Sequence, residues 1–298
     1  MDSHPTATMS TSRKVKVLHL EPTDVCQAAC AACARVVDTT FDASMPHHLS
    51  MAEILQVFPG NLIQDLEKMF MCGNYGDPAA GRYTLDIYNE FRRVNPSIVL
   101  GMNTNGGLQS ASWWRELATV LCQTQDYVVF SIDGLSDTNH VYRVGVDWRR
   151  VMRNVETFIS AGGTAHWDML IYRHNQHQVN QCETLAREMG FKWFRTKVSS
   201  RPLYGALQSP DGYMINHRHS KPIDCHALHE DSAYISAQGK LYPCCWHGHR
   251  RSTVHDIIQV QATWHRPRPD SVCLSACGRS QSTTRFKNQW QSAVELTN

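Results

Sequence analysis

The chain has 298 residues, 42% of them hydrophobic, which is enough for one large core or for a core with a smaller module. Its 29 Lys and Arg residues nearly balance its 27 Asp and Glu residues, and this balance, without a basic run, argues against a nucleic-acid partner. Neither a secretory signal nor an apolar stretch long enough to cross a bilayer is present, so we expect a soluble, cytoplasmic chain without membrane contact.

Strand-like and helix-like segments alternate from residue 14 to residue 200. The first predicted helix opens at Ser50, with Glu53 three residues later in a capping-box pattern. Such alternation indicates a parallel sheet with helices outside, and six βα units are too few for an eight-unit barrel. We therefore predict an α/β fold, a partial (β/α)6 TIM-like barrel with its chemistry at the carboxyl ends of the strands. The predicted strands cover residues 16–20, 68–72, 98–104, 127–131, 166–172 and 191–198, and the later helices cover 83–94, 112–123, 148–161 and 178–189.

The rest of the chain has a different composition. Residues 1–13 are expected to be disordered, and residues 201–222, with their prolines, glycines and serines, indicate a linker or lid. From there to residue 298 we predict a small cysteine-rich module, in which residues 233–235 and 240–242 form a hairpin.

Three of the eleven cysteines lie on one loop directly after the first predicted strand. Cys26, Cys30 and Cys33 have the spacing C-x3-C-x2-C, and in a chain without an export signal such thiols indicate metal. Zinc sites close with four ligands and a typical [4Fe–4S] cluster takes four cysteines, so three thiolates suggest a cubane with one open iron. Two alternatives stay open at this point: zinc with one of the sixteen histidines, and ordinary buried cysteines.

The spacing C-x3-C-x2-C resembles the signature of the radical S-adenosylmethionine (SAM) enzymes. The resemblance implies a [4Fe–4S] cluster on Cys26, Cys30 and Cys33, with the amino and carboxylate groups of SAM on the fourth iron. It also implies that a flavodoxin- or ferredoxin-type donor supplies one electron. The resulting 5′-deoxyadenosyl radical would take hydrogen from an unactivated carbon of the substrate.

The segment after the second predicted strand resembles the family's G-G-E-P segment, which holds the amino group of SAM. Gly76 and Asp77 match its second glycine and its acid, whereas Tyr75 replaces its first glycine. The resemblance therefore implies that Gly76 and Asp77 bind SAM.

Segments after the third and fourth predicted strands resemble the family's T-N-G and S-x-D-G segments. Asn105 and Ser131 are then expected to contact the ribose or the methionine carboxylate. Arg143 follows in a Tyr-Arg-Val-Gly segment and is expected to clamp a carboxylate through its planar guanidinium. The family usually has an aromatic residue before the third cysteine, against the adenine; here Ala32 stands there, and Tyr172 is the expected substitute.

The second group of cysteines resembles the shortened auxiliary-cluster domain of this family, called twitch, which is related to the larger SPASM domain. The resemblance implies a second [4Fe–4S] cluster, although four thiolates suit a structural zinc equally well. Cys245 is a candidate catalytic residue, with packing or replacement of its neighbour as a ligand as alternatives. The expected ligands are Cys225, Cys244, Cys273 and Cys277.

Three functions fit the sequence. We expect first an oxidation or rearrangement of a small molecule, such as a sugar, an aminocyclitol or a nucleotide-like metabolite. About fifteen residues precede the first strand, which leaves no room for a separate leader-peptide-binding domain. The alternatives are a radical SAM maturase that modifies a peptide or protein side chain, and a non-catalytic zinc or iron–sulfur protein. Candidate substrate contacts after the last two predicted strands are Tyr172, Arg173, His174, Lys197 and Arg201.

Overall fold

In the part of the chain that the structure describes, nine short strands form one sheet. The computed structural model describes residues 15–199, 207–213, 223–249, 262, 270–277, 290 and 293–296. The strands are β1 (Val17–Leu20), β2 (Lys68–Met71), β3 (Val99–Thr104), β4 (Tyr127–Ser131), β5 (Ala165–Ile171), β6 (Trp193–Val198), β7 (Ser232–Ile235), β8 (Leu241–Tyr242) and β9 (Val294–Glu295). Their order is β8-β7-β1-β2-β3-β4-β5-β6-β9, and β1 to β6 are parallel in chain order. The six predicted strands and the partial barrel are confirmed.

The connections between these strands carry the helices. The predicted capping box is present, because the Ser50 hydroxyl accepts from the Glu53 backbone N–H and the Glu53 carboxylate accepts from that of Ser50. The helices within the described ranges are α1 (Ala34–Val37), α2 (Met51–Val57), α3 (Gly60–Ile63), α4 (Thr84–Val94), α5 (Ala111–Val120), α6 (Asn139–Tyr142), α7 (Trp148–Ser160), α8 (Val179–Glu188), α9 (His226–His229), α10 (Cys245–His249) and α11 (Ser271–Ala276), with short 3-10 turns at Pro78–Ala80 and Gln176–Gln178.

The two faces of the strands have different surroundings, because successive side chains in a strand alternate. On β4, Phe130 points outward and packs against Trp114 of α5 and Phe158 of α7, with ring centroids 5.3 and 6.0 Å away. Tyr127 points to the inside of the barrel and stacks on His166 of β5 at 5.2 Å. The apolar core therefore lies between strands and helices, and polar side chains line the barrel interior.

Three strands extend the sheet beyond the six that were predicted for the barrel. The predicted hairpin is confirmed as the antiparallel pair β7 and β8, but β7 also pairs in parallel with β1, so the hairpin continues the barrel sheet. At the other edge, β9 pairs antiparallel with β6. A two-residue strand such as β9 is too short to produce a pattern in the sequence.

Other expectations concern the termini and the cysteines. The expected disorder of residues 1–13 lies outside the described residues, as does most of the predicted linker 201–222. All eleven cysteines are described, and none of them forms a disulfide. In the part of the chain that the structure describes, no helix has both the length and the apolar character needed to cross a bilayer.

Candidate active site

The first cysteine group lies on the loop that leaves the carboxyl end of β1. The Cys33 N–H donates to the Cys30 carbonyl at 2.9 Å, which closes a tight turn, and Cys33 then begins α1 as its N-cap. Cys30 is buried, whereas Cys26 and Cys33 are half-buried against the core. The loop thus presents three thiols at the strand end where chemistry was expected.

Hydrogen-bond donors lie beside two of these thiols. The Nη1 atom of Arg143 lies 4.0 Å from Cys30 Sγ, and the Nδ2 atom of Asn105 lies 3.7 Å from Cys26 Sγ. Burial, with the nearby Asp77 carboxylate, raises the pKa of the Cys26 thiol to about 12, and burial also raises the pKa of Cys30 although Arg143 opposes it. Buried thiols of this kind lose their protons only when a cation compensates the charge, as a bound metal does.

The turn after β2 is organised by two buried carboxylates. Glu21 Oε1 accepts the backbone N–H groups of Tyr75 and Gly76 at 2.7 and 3.2 Å. The chain passes so close to Thr23 that a Cβ atom on Gly76 would lie 1.9 Å from the Thr23 carbonyl oxygen, so only glycine fits. Asp77 caps the following 3-10 turn through the Ala79 N–H at 2.9 Å.

Asp77 also joins this turn to the end of β3. Its Oδ1 atom accepts from the Thr104 hydroxyl at 2.7 Å, and its Oδ2 atom accepts from the backbone and side-chain nitrogens of Asn105. Burial raises the pKa of Asp77, against the effect of these donors. The structure therefore brings Asp77 and Asn105 together beside Cys26, while their contacts with SAM stay a prediction.

Arg143 is anchored on the segment that follows β4. Its Nε atom donates to Asp133 Oδ2 at 2.6 Å, and Asp133 Oδ1 accepts the Leu170 N–H at 2.6 Å. The Asp133 side chain is fully buried and that of Arg143 is 16% exposed. Ser131 stands at the end of β4, in register with Asp168 on β5. Asp133 thus holds the guanidinium of Arg143 between β4 and the cysteine loop.

The described residues after β5 and β6 that were predicted to contact the substrate make contacts within the protein. Tyr172 is buried and packs on Tyr142, with ring centroids 5.1 Å apart. Arg173 binds the segment 207–213, since its N–H donates to the Gln208 carbonyl at 3.0 Å and its Nε lies 2.9 Å from Asp211 Oδ1. His174 stacks beside Tyr172, Lys197 donates to Asp168 Oδ2 at 2.6 Å, and Arg201 lies outside the described residues.

The second cysteine group lies next to the β7–β8 hairpin. Burial raises the pKa of Cys244 to about 11 and that of Cys277 to about 12, and neighbouring thiols add to both shifts. Cys225 contributes to both shifts, and Cys244 packs against the small buried cluster of Cys225 and Ala227. Cys273 precedes Cys277 by one turn of helix and contacts His247. The four predicted ligands therefore belong to one small region.

A network that the sequence did not predict connects the two cysteine groups. The Tyr234 hydroxyl, on β7, donates to Glu21 Oε2 and accepts from Asn74 Nδ2 at 3.1 Å. Asn74 Nδ2 also donates to the Cys245 carbonyl at 3.0 Å, and the Asn74 carbonyl lies 3.9 Å from Cys33 Sγ. A glutamate directly after a buried strand was the one available signal in the sequence. Burial raises the pKa of the Cys245 thiol well above its ordinary value.

Comparisons with known proteins agree with this geometry. A family model described as the radical SAM superfamily matches residues 20–181, and no curated protein sequence matches the chain. SuiB of Streptococcus suis bound to S-adenosylmethionine has a TM-score of 0.58 at 13% identity, over 85% of this chain and 67% of SuiB. SuiB bound to the precursor peptide SuiA has a TM-score of 0.60 at 13% identity, over 91% of this chain and 68% of SuiB.

A second solved structure gives a similar result. The structure of anSMEcpe with bound AdoMet and the Cp18Cys peptide has a TM-score of 0.55 at 16% identity, over 90% of this chain and 80% of anSMEcpe. At such identities the similarity shows a shared fold. The family model, by contrast, matches more than half of the chain and includes the first cysteine group. The chain belongs to the radical SAM superfamily and is a radical SAM enzyme.

Proposed function

We propose that this radical SAM enzyme modifies a side chain of a peptide or protein. The observation that carries the proposal is the extent of the similarity to peptide-bound SuiB, which covers 91% of the chain and reaches well beyond residues 20–181. The similarity to peptide-bound anSMEcpe covers 90% of this chain. These neighbours favour the peptide alternative over the small metabolite that was expected from the short segment before β1.

Cys26, Cys30 and Cys33 fit a [4Fe–4S] cluster. The fit rests on three thiols on one loop, buried or half-buried, with the Arg143 cation and the Asn105 amide as neighbours that compensate negative charge. When bound, the cluster and SAM supply reductive cleavage of SAM and abstraction of hydrogen from the substrate. Arg143, fixed by Asp133, keeps positive charge beside Cys30, whose thiol is buried away from water.

Six residues are assigned to the binding of SAM. Gly76 gives the close backbone approach, and Asp77 holds Asn105 at the end of β3. Ser131 ends β4, Arg143 follows α6 in the connection after β4, and the buried Tyr172 directly follows β5. Each of these six residues lies at the carboxyl end of a parallel strand or in the connection that follows it, and the assignments rest on that position.

Cys225, Cys244, Cys273 and Cys277 are assigned to a second [4Fe–4S] cluster, in a module that we place after residue 200. The fit rests on four cysteines in one region, where Cys225 adds to the burial that raises the pKa of Cys244 and Cys277. Cys245 stays a candidate catalytic residue, because the network of Asn74 connects it with the first cysteine group. The proposed electron donor is a protein of the flavodoxin or ferredoxin type.

Deuterium transfer tests the substrate class. Anaerobically reconstituted enzyme is incubated with dithionite, SAM and a pool of peptides deuterated in their side chains, and in parallel with a pool of deuterated sugars and nucleosides. We expect deuterium in 5′-deoxyadenosine from the peptide pool alone. Transfer from the sugar and nucleoside pool alone would contradict the proposal. A Cys30→Ala variant serves as the control for non-enzymatic exchange.

A further inference from the structure

A histidine outside the cysteine pattern contacts one of the proposed ligands of the second cluster. His247 lies on α10, three residues after Cys244, and is 1% exposed. Its Nε2 atom is 3.6 Å from Cys273 Sγ and 3.9 Å from Asp270 Oδ1. Among the described residues, these three side chains form the one group of His, Cys, Asp and Glu whose ligand atoms all lie within 4.8 Å of one another.

The geometry distinguishes the two neighbours of His247. Asp270 Oδ1 already accepts the Val272 and Cys273 N–H groups at 2.9 and 3.1 Å, as the N-cap of α11. A separation of 3.9 Å is too long for an N–H···O hydrogen bond, which ends near about 3.2 Å between heavy atoms. Sulfur is larger than oxygen, so 3.6 Å is within reach of an N–H···S hydrogen bond. The ring nitrogen is therefore directed at Cys273.

The direction of this hydrogen bond follows from the chemistry of a metal-bound thiolate. A thiolate ligand carries no proton, so the hydrogen between the two atoms must come from the histidine. Asp270 strengthens the arrangement, because its cap fixes the first turn of α11 and with it the backbone of Cys273.

We propose that His247 donates an N–H···S hydrogen bond to the Cys273 thiolate and thereby raises the reduction potential of the second iron–sulfur centre. Hydrogen bonds to cluster sulfurs draw negative charge away from the iron and favour the reduced form, which is one of the established ways in which a protein sets this potential. The inference rests on the second cluster of the proposed function. His247 acts here as a positioning and tuning residue, through Cys273.

A redox titration tests the proposal in full-length protein. The titration is carried out in a Cys30→Ala background, which lacks the first cluster. Dithionite, the reductant, then gives one electron to the second cluster alone. His247→Leu is expected to shift the midpoint potential to more negative values at unchanged iron and sulfide content. His247→Gln, which retains an N–H donor, is expected to restore part of the shift. His177→Leu, at an exposed position on the barrel, is expected to leave the potential unchanged.

Pulsed electron paramagnetic resonance of the reduced centre gives a second readout that does not depend on these variants folding. With 15N-labelled histidine and deuterated solvent, we expect a weakly coupled nitrogen and an exchangeable deuteron. An unchanged potential in His247→Leu with an intact cluster would overturn the proposal, and so would a strongly coupled nitrogen, because the histidine would then be a ligand. Zinc without iron in the module would instead overturn the second cluster of the proposed function.

Discussion

Asp77 accepts two hydrogen bonds from a single residue, Asn105: its Oδ2 atom lies 2.7 Å from the backbone nitrogen and 2.6 Å from the side-chain Nδ2. This contact joins the turn after β2 to the end of β3. It also fixes the Asn105 amide, whose Oδ1 atom accepts from Gln27 Nε2 at 2.7 Å and from the Gly107 N–H at 2.9 Å. Through Gln27, the cysteine loop is included in the same arrangement.

Asp77→Ala should weaken both the fold and the binding of SAM. The substitution leaves buried donors of Thr104, Ala79 and Asn105 without their acceptor, at about 1–3 kcal/mol for each unpaired group. We expect the free energy of unfolding of the metal-free protein to fall by about 3 kcal/mol or more, and SAM affinity to fall at least about tenfold, which corresponds to about 1.4 kcal/mol. Equilibrium dialysis of reconstituted protein measures the second effect. Asp86→Ala, on the exposed face of α4, is the control, and unchanged SAM affinity in Asp77→Ala would contradict its role.

Arg143 and Asp133 should show strong energetic coupling. Arg143→Met leaves the fully buried Asp133 carboxylate without its cation, and loss of one partner from a buried pair costs about 3–5 kcal/mol. In the double variant with Asp133→Asn, most of this loss should disappear. Urea unfolding of the four proteins gives the coupling energy, with exposed Arg149→Met as the control. If the effects of the two substitutions on the free energy of unfolding were additive, the Arg143–Asp133 pair would have no coupling energy and the prediction would be wrong.

Tyr234→Phe should loosen the contact between β7 and the turn after β2. The substitution removes the hydroxyl that donates to Glu21 and accepts from Asn74 in a buried network. We expect a loss of about 1–3 kcal/mol in the free energy of unfolding, because a buried polar group loses its partner. Limited proteolysis should cleave the variant faster than wild type within residues 223–249. The exposed Tyr213→Phe change is the control, and equal protease sensitivity in both variants would be evidence against the network.

Acid should destabilise the protein through His166. Burial lowers the pKa of this histidine from 6.5 to about 3, and neither ring nitrogen has a hydrogen-bond partner among the described residues. Below pH 6.5 His166 is therefore protonated in the unfolded chain, whereas in the folded chain it is protonated only below about pH 3. The stabilising effect is complete above pH 6.5 and decreases as the pH falls toward 3, by about 1.4 kcal/mol for each pH unit.

His166→Phe keeps a ring between Tyr127 and Trp290 and removes the titrating group. Between pH 7 and pH 5 the variant should lose about 2 kcal/mol less stability than wild type. Urea midpoints measured at both pH values test this difference. An identical pH dependence in the two proteins would mean that His166 is not kept neutral by the fold.

The barrel could be predicted from the sequence because its signals are local. The strand runs and the Ser50–Glu53 capping box each extend over a few residues, and the structure confirms them. The Tyr234–Glu21 contact spans 213 positions and exists only because β7 pairs with β1, so no local pattern reports it. His247 is one of sixteen histidines, and only the position of Cys273 distinguishes it from the others.

Release of 5′-deoxyadenosine tests the central claim most directly. Protein purified and reconstituted without oxygen, with its iron and sulfide content measured, is incubated with SAM and dithionite. We predict that 5′-deoxyadenosine and methionine appear in equal amounts and that Cys30→Ala abolishes both. Wild-type protein with a full cluster content that binds SAM and yet releases no 5′-deoxyadenosine would contradict this account.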